Sequence, residues 1–212
     1  MVQRIKRLST PDPRSNFFEE PECTFLTWKI GYRTWGIYKY EKDGSFVLFS
    51  DIGRVIWPKR EELVAKCSKI HLRAHTSPFP RCQCGIYAMN SMEDVRNSVE
   101  DIRRKTFAGE VKLWGTILAY TEGVRAQFAY PASIRDVRCS KCDEYKKLEE
   151  FVFLSFYVTS RVSSIHAFCK KCEMLLPDLR YREKLDSSFL TQIAEDYGIE
   201  VGERRCEDGR NR

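Results

Sequence analysis

The sequence has no long hydrophobic run. Its longest apolar stretch, 151–158, holds eight residues and includes Ser155, whereas a helix that spans a bilayer needs about 20. The N-terminal segment 1–8 carries charge and is not followed by an apolar stretch, so no signal peptide is predicted. These absences predict a protein without a membrane partner.

Residues suited to catalysis are also scarce. The chain has only three histidines, His71, His75 and His166, and each lies close to a cysteine in the sequence. It has no His-Asn-His constellation, no Gly-x-Ser-x-Gly motif and no Gly-rich phosphate loop, and its carboxylates are scattered. The sequence therefore favours a non-catalytic protein over an enzyme.

Cysteine, by contrast, is abundant. Nine cysteines are an odd number, no signal peptide precedes them, and four of them form Cys-x-x-Cys pairs, so a secreted disulfide scaffold is not favoured. We therefore expect a reducing, cytoplasmic location.

The overall composition gives two further indications. The net charge of +6, from 36 basic and 30 acidic residues, favours an anionic partner. An aromatic content of 13% predicts a folded chain.

Two cysteine pairs separated by 26 residues predict a zinc site. Cys139 and Cys142 form the first Cys-x-x-Cys turn, and Cys169 and Cys172 form the second. Four thiolates offered in this way suit a tetrahedral Zn²⁺ ion. A thioredoxin-type redox pair would need one such turn ahead of a helix in a βαβ unit, which the pattern does not indicate. His166 is an alternative ligand, although a histidine at such a position more often bonds to a neighbouring sulfur.

A second group of metal-ligand residues falls within eighteen residues of a loop-rich stretch: Cys67, His75, Cys82 and Cys84. Three thiolates and one imidazole would complete a tetrahedral site, with His71 as an alternative fourth ligand. In the simpler interpretation Cys67 is a small buried residue and the other two cysteines line a loop. The sequence thus predicts one zinc ion and allows a second, while Cys23 and Cys206 are interpreted as ordinary thiols.

The residue patterns predict an α+β fold, mostly an antiparallel β-barrel or rolled sheet with two helices. A four-cysteine module that is zinc-ribbon-like or treble-clef-like is added to it. Five segments are expected in order: a flexible basic arm at 1–21, a β-rich barrel-like domain at 22–137, the zinc module as an insertion at 138–176, a helix and strand that return to the β domain at 177–202, and a charged tail at 203–212.

Local signals place the main elements. Strands are expected at 24–30, 33–40, 45–50 and 54–57, with Gly31 between the first two. One or two helical turns are expected at 61–67, and a long hairpin is expected from strands at 110–121 and 124–130. The capping box Ser91-Met-Glu-Asp94 predicts a helix to about residue 105, and a last helix should run from Ser187 or Ser188 to Tyr197.

Residues 138–151 and 166–172 resemble the small four-cysteine zinc modules of phage and bacterial DNA-processing proteins, including modules that flank HNH nucleases. Leu148, Glu149, Glu150 and Phe151 match the spacer of those modules. The resemblance covers about 35 residues and implies a bound zinc ion and a DNA-related role. The run 151–158 is more apolar than the family's linker, and we expect it to pack the module against the main domain.

The β-rich part carries a second resemblance. Segments 31–35, 57–58, 82–88, 111–115, 129–131 and 197–201 resemble a family of small uncharacterised bacterial proteins. The strand order, with a late long hairpin, is similar to that of PUA-like barrels. That superfamily includes readers of RNA or of modified DNA bases, so the resemblance implies a reader module.

These observations lead to one main hypothesis, a zinc-stabilised, non-catalytic nucleic-acid-binding protein. Phosphate contacts are expected from two groups of basic residues, Lys141, Lys146, Lys147, Lys170 and Lys171 in the module and Arg33, Arg54 and Arg125 in the β domain. Exposed tryptophans would stack on bases, although most tryptophans on short strands belong to a core.

A protein–protein adaptor with purely structural zinc is the alternative. It is favoured by the near balance of charge at 139–184, where nine basic residues face seven acidic ones. A nuclease with a dispersed active site ranks last.

Overall fold

The computed structural model describes residues 22–24, 28–50, 55–67, 75–97, 106–146, 148–176 and 183–202. Strands dominate these residues, in agreement with the predicted α+β class. In chain order the strands are β1 (Glu22–Thr24), β2 (Lys29–Tyr40), β3 (Phe46–Ser50), β4 (Val55–Ile56), β5 (Leu63–Val64), β6 (Ile86–Met89), β7 (Phe107–Ala119), β8 (Gly123–Pro131), β9 (Ser133–Ile134), β10 (Asp136–Arg138), β11 (Tyr145–Lys146), β12 (Phe151–Thr159), β13 (Val162–Cys169), β14 (Glu183–Leu185) and β15 (Glu200–Val201). The helices are α1 (Met92–Asn97), α2 (Lys170–Glu173) and α3 (Ser188–Tyr197), and a 3₁₀ turn covers Leu148–Glu150.

Four antiparallel strands close a small barrel, which confirms the predicted architecture. β7 pairs with β2 and β8, and β6 pairs with both β8 and β2, so the path returns to its start. At the closure Tyr32 of β2 is registered with Met89 of β6. A Cβ on Gly31 would lie 2.7 Å from Ala88 Cβ and 2.9 Å from Leu113 Cδ1. Gly31 therefore permits the close approach of strands, and the prediction that it separates two strands is wrong.

The long strand β2 belongs to two layers. Its first half pairs with β7 inside the barrel, and its second half pairs with β3 and β13. β13 in turn pairs with β12, and β12 pairs with β14. The strands between the two cysteine pairs are therefore continuous with the sheet that carries the barrel.

Aromatic side chains from the barrel, the outer strands and α3 meet in one core. The Phe189 ring of α3 lies 5.3 Å from Phe46, 6.3 Å from Phe107 and 5.1 Å from Phe153, measured between ring centroids. All four side chains are buried. Because Phe153 belongs to the run 151–158, this contact and the β13–β2 pairing confirm that the run packs against the main domain.

The two predicted helices begin where their caps indicate. The Asp94 backbone N–H donates to Ser91 Oγ at 3.0 Å, so the Ser91 side chain caps α1, and the Ser91 hydroxyl in turn donates to Asp94 Oδ2 at 2.7 Å. The part of the predicted helix beyond residue 97 lies outside the described residues. Gly198 ends α3 with a left-handed φ of +62°, and β15 then pairs in parallel with β9.

Two further local features differ from the expectation. The stretch 61–67 is not helical: Leu63 and Val64 form β5, which pairs with Ala129 and Phe128 of β8. The edge of β8 offers backbone N–H and C=O groups that need partners, and this tertiary demand outweighs the local pattern. The short helix α2 is an addition to the two helices that the sequence predicts.

Replacing Phe153 by alanine tests the shared core. Phe153→Ala should lower the free energy of unfolding by about 3–5 kcal/mol, because it removes a buried ring from the contact with Phe107 and Phe189. Tyr157→Ala, on the same strand but 64% exposed, should change it by less than about 0.5 kcal/mol. Urea unfolding of the metal-loaded proteins measures both values, and an equal loss in the two variants would contradict this core.

Candidate metal centres

The first cysteine pair lies on a tight turn between β10 and β11. The Cys139 backbone N–H donates to the Glu144 carbonyl at 2.9 Å, and the Asp143 N–H donates to the Cys139 carbonyl at 3.0 Å. Asp143 has a left-handed φ of +62°, a conformation that aspartate tolerates better than most residues. The turn is thus fixed by backbone hydrogen bonds, and it presents Cys139 and Cys142 to the second pair.

The second pair lies where β13 ends and α2 begins. Cys169 is the extended N-cap residue of α2, and Cys172 follows in its first turn, so the helical spacing of three places both on one side. The first ligand pair thus lies on a hairpin turn and the second at the start of a helix, with the β12–β13 hairpin between them. This arrangement matches the treble-clef-like alternative. In a zinc ribbon both pairs would lie on hairpin turns.

The four sulfur atoms of this first cluster are spaced for one metal ion. All of them lie within 4.8 Å of one another, and the Sγ atoms of Cys142 and Cys169 are 3.9 Å apart. Tetrahedral coordination with Zn–S bonds of about 2.3 Å would place the sulfurs about 3.8 Å apart. A disulfide would require about 2.05 Å. The geometry is therefore that of a set of thiols arranged around a common centre.

The surroundings of the first cluster resist the ionisation of all four thiols together. Burial opposes ionisation of Cys139, but backbone N–H groups of Cys142, Cys169 and Lys141 outweigh it and lower the pKa of Cys139 to about 7. Burial and then the neighbouring thiols, led by Cys169, raise the pKa of Cys172 to about 12. A dication among the sulfurs would remove this conflict, because it neutralises the like charges that they acquire.

His166 does not belong to the first cluster. Its Nε2 lies 3.0 Å from Ser164 Oγ and its Nδ1 lies 3.4 Å from Ser140 Oγ, while its ring meets Phe156 edge-on. Residues three apart on a strand face opposite sides of the sheet. His166 and Cys169 of β13 therefore point apart, which rules against the histidine alternative for the fourth ligand.

The second cluster lies at one edge of β8. β6 pairs with the first half of that edge, β5 pairs with the second half, and the Ala65 N–H extends β5 by donating to Gln127 O at 2.8 Å. Cys67 follows β5, whereas Cys82 and Cys84 precede β6. The cluster thus forms where the two short strands on this edge come together.

The structure brings together all four predicted ligands of the second cluster. The Sγ atoms of Cys67 and Cys82 are 3.6 Å apart, and His75 Nε2 lies 3.3 Å from Cys84 Sγ. All four ligand atoms lie within 4.8 Å of one another. Tetrahedral zinc predicts about 3.8 Å between sulfurs and about 3.6 Å between sulfur and nitrogen. The alternative ligand His71 lies outside the described residues.

Polar groups beside Cys84 favour its thiolate. Burial opposes ionisation, but the nearby Ser77, the His75 ring at 3.3 Å from the sulfur and the Phe79 backbone outweigh it and lower the pKa of Cys84 to about 7. A thiolate at near-neutral pH is the form that binds a metal ion. The His75 ring also packs against Phe79, with 4.9 Å between ring centroids.

Arg125 supports the second cluster from inside the protein. It is buried, its Nη1 donates to the carbonyls of Cys82 and Cys84, and its Nη2 donates to the Tyr120 hydroxyl. A divalent ion with three thiolates and a neutral imidazole has a net charge of −1, and the guanidinium compensates it. This burial corrects the expectation that Arg125 contacts phosphate. No signal in the sequence indicates this burial, because Val124 and Ala126 on either side of Arg125 face the opposite side of the strand.

Arg33 is likewise held within the protein. Its Nη1 donates to Tyr87 O at 3.1 Å, its Nη2 donates to Ser50 Oγ at 2.8 Å, and its Cζ lies 4.8 Å from the centroid of the Trp57 ring. Burial lowers the pKa of Arg33 to about 10. Its guanidinium is committed to these contacts rather than presented to a phosphate.

The lysines near the first cluster remain at the surface. Lys141, Lys170 and Lys171 are exposed, whereas Lys146 forms an ion pair with Glu144 at 3.3 Å. The other two predicted phosphate contacts, Lys147 and Arg54, lie outside the described residues.

Two of the four tryptophans belong to the core, as the sequence predicts for most of them. Trp35 and Trp57 are buried, whereas Trp28 is 59% exposed. Trp114 lines a shallow depression of about 460 Å³ together with Arg60, Glu61 and Glu62. The two carboxylates outnumber the guanidinium, which donates to the Glu195 and Asp196 carbonyls, so this depression does not have the charge that a base-reading pocket needs.

None of the helices in the described ranges has the length and hydropathy needed to cross a membrane. No family model matches the chain, and neither a curated protein nor a solved structure shows significant similarity to it.

Proposed function

We propose that each cluster binds one Zn²⁺ ion and that both ions are structural. Cys₄ and Cys₃His are usual ligand sets for structural zinc, and four protein ligands leave no position for the water that catalytic zinc requires. The observation that carries the proposal is the spacing of the ligand atoms, 3.3–3.9 Å in the three measured pairs.

The two ions would fasten different parts of the fold. The first joins the β10–β11 turn to the start of α2, and the second joins the end of β5 to the start of β6. β5 has two residues and β6 has four. Such short strands gain most from an added tie, because few backbone hydrogen bonds hold them.

The proposed role of this zinc-stabilised protein is to bind nucleic acid without cleaving it. The net charge is +6, and exposed lysines surround the first cluster, namely Lys141, Lys170 and Lys171. The resemblance of residues 138–172 to zinc modules of DNA-processing proteins supports the same role. Lysines that contact phosphates release counterions, and this release drives binding.

A protein–protein adaptor is the second candidate. Met174 and Leu175, directly after α2, are 77% and 63% exposed. Exposed apolar side chains beside a rigid metal site favour a protein partner. The charge of the module also favours an adaptor. A Zn²⁺ ion with four thiolates has a net charge of −2, and this cancels the net charge of +2 from the nine basic and seven acidic residues at 139–184.

Metal analysis tests the zinc proposal. The chain purified under reducing conditions should contain about two zinc ions, and Cys139→Ser and Cys82→Ser should each retain about one, since each removes one of four ligands. Inductively coupled plasma mass spectrometry measures zinc and iron together.

Matched controls change neighbouring residues that are not ligands. Ser140→Ala, Gln83→Ala and His166→Ala should each keep both ions. Iron in place of zinc, or two ions retained in Cys82→Ser, would contradict the proposal.

Salt dependence separates the two candidate roles. With about four phosphate contacts, the affinity for a labelled oligonucleotide should fall roughly 50-fold between 50 and 200 mM salt, because counterion release weakens as salt rises. Fluorescence anisotropy measures this slope. A flat response, or no binding at low salt, would favour the adaptor.

A further inference from the structure

The longest stretch without acidic residues surrounds the second cluster. Between Glu62 and Glu93 the chain has 30 residues without one Asp or Glu, and it contains four basic residues, Lys66, Lys69, Arg73 and Arg81. Lys69 and Arg73 lie outside the described residues, whereas Lys66 and Arg81 are exposed. Each of these two directly precedes a ligand, Cys67 or Cys82, and the sulfurs of those ligands are 3.6 Å apart. The cluster therefore places two exposed basic residues, Lys66 and Arg81, on neighbouring segments of the chain.

Two exposed aromatic rings lie beside the same cluster. Phe79 is 41% exposed and packs against the ligand His75. Tyr87 is 42% exposed, and its hydroxyl donates to the carbonyl of Gln83, which stands between two ligands. Both rings are thus held by the metal-binding loop and still offer surface to solvent. We call Lys66, Phe79, Arg81 and Tyr87 the rim of the second cluster.

The rim keeps its positive charge when metal is bound. The −1 charge of a Cys₃His zinc site is offset by the buried Arg125, whose guanidinium contacts the carbonyls of Cys82 and Cys84. The charges of Lys66 and Arg81 therefore remain uncompensated by the site itself. The first cluster differs, because its −2 cancels the excess charge of its own module.

We propose that the rim of the second cluster binds unpaired bases of single-stranded nucleic acid. The inference rests on the proposed nucleic-acid binding and gives it a place and a substrate class. Exposed aromatic rings stack on base faces that a duplex conceals, while neighbouring cations hold the backbone. This combination of rings and cations also favours nucleic acid over an acidic peptide, which would need the cations alone.

Substitutions on the rim test the inference with the full zinc-loaded chain. Phe79→Leu should weaken binding of fluorescein-labelled dT12 and rU12 about 5- to 100-fold, because the aromatic face is lost while an apolar side chain remains. Arg81→Gln should weaken binding and reduce the slope of log affinity against log salt by about 0.7. A 12-base-pair duplex should bind at least about 10-fold more weakly than the single strands. Comparison of dT12 with rU12 shows whether DNA or RNA is preferred.

Controls of matched chemistry lie elsewhere on the surface. Tyr157→Leu changes an exposed aromatic residue on β12, and Lys42→Gln changes an exposed lysine in the turn between β2 and β3. Both should bind as the wild type does, and every variant should contain about two zinc ions, which shows that it is folded.

The outcomes separate this inference from the proposed function. Wild-type binding that survives Phe79→Leu and Arg81→Gln but is lost in Lys170→Gln would overturn the rim while leaving nucleic-acid binding in place. A duplex that binds as tightly as the single strands would also overturn it. Failure of the wild type to bind any oligonucleotide would overturn both, and binding of polyglutamate that Arg81→Gln abolishes would assign the rim to an acidic protein segment.

Discussion

Thiolates held within 4.8 Å of one another repel, and only a cation among them makes the arrangement favourable. The protein imposes this constraint twice. At the first cluster it is visible in the opposite pKa shifts of Cys139 and Cys172, one toward neutrality and one to about 12. With a metal ion bound to each cluster as proposed, the folded arrangement of both clusters would depend on those ions.

The two candidate metal centres are part of the fold rather than attachments to it. Cys139, Cys169 and Cys172 are buried and belong to the main hydrophobic core. The second cluster stands where β5 and β6 share the edge of β8, which is also the strand that carries Arg125. Metal binding, strand pairing and core packing would therefore be coupled, as in small domains whose folding free energy includes that of the metal.

The sequence predicts which residues form the two clusters, because much of the geometry within each cysteine pair is local. The spacing of Cys139 with Cys142 and of Cys169 with Cys172 predicts chelating turns whatever surrounds them. The barrel class follows from aromatic and β-branched runs. The strand β5, the continuity of β2 through Gly31, the contacts that hold Arg33 and the burial of Arg125 do not follow, because each depends on a distant partner. The edge of β8, the closure against Ala88 and the carbonyls of the second cluster are such partners.

With zinc bound as proposed, the two centres would differ in charge. A Cys₄ zinc site would neutralise the module that contains it, whereas a Cys₃His zinc site would be balanced from within by Arg125 and would leave the basic, aromatic rim. Zinc X-ray absorption of the wild-type protein tests the central claim most directly, since it reports the ligands of both ions at once. The account predicts a mean first shell of about 3.5 sulfurs at 2.3 Å and about 0.5 nitrogen at 2.0–2.1 Å for each zinc. A shell dominated by oxygen or nitrogen, or one of four sulfurs with a single ion for each chain, would contradict it.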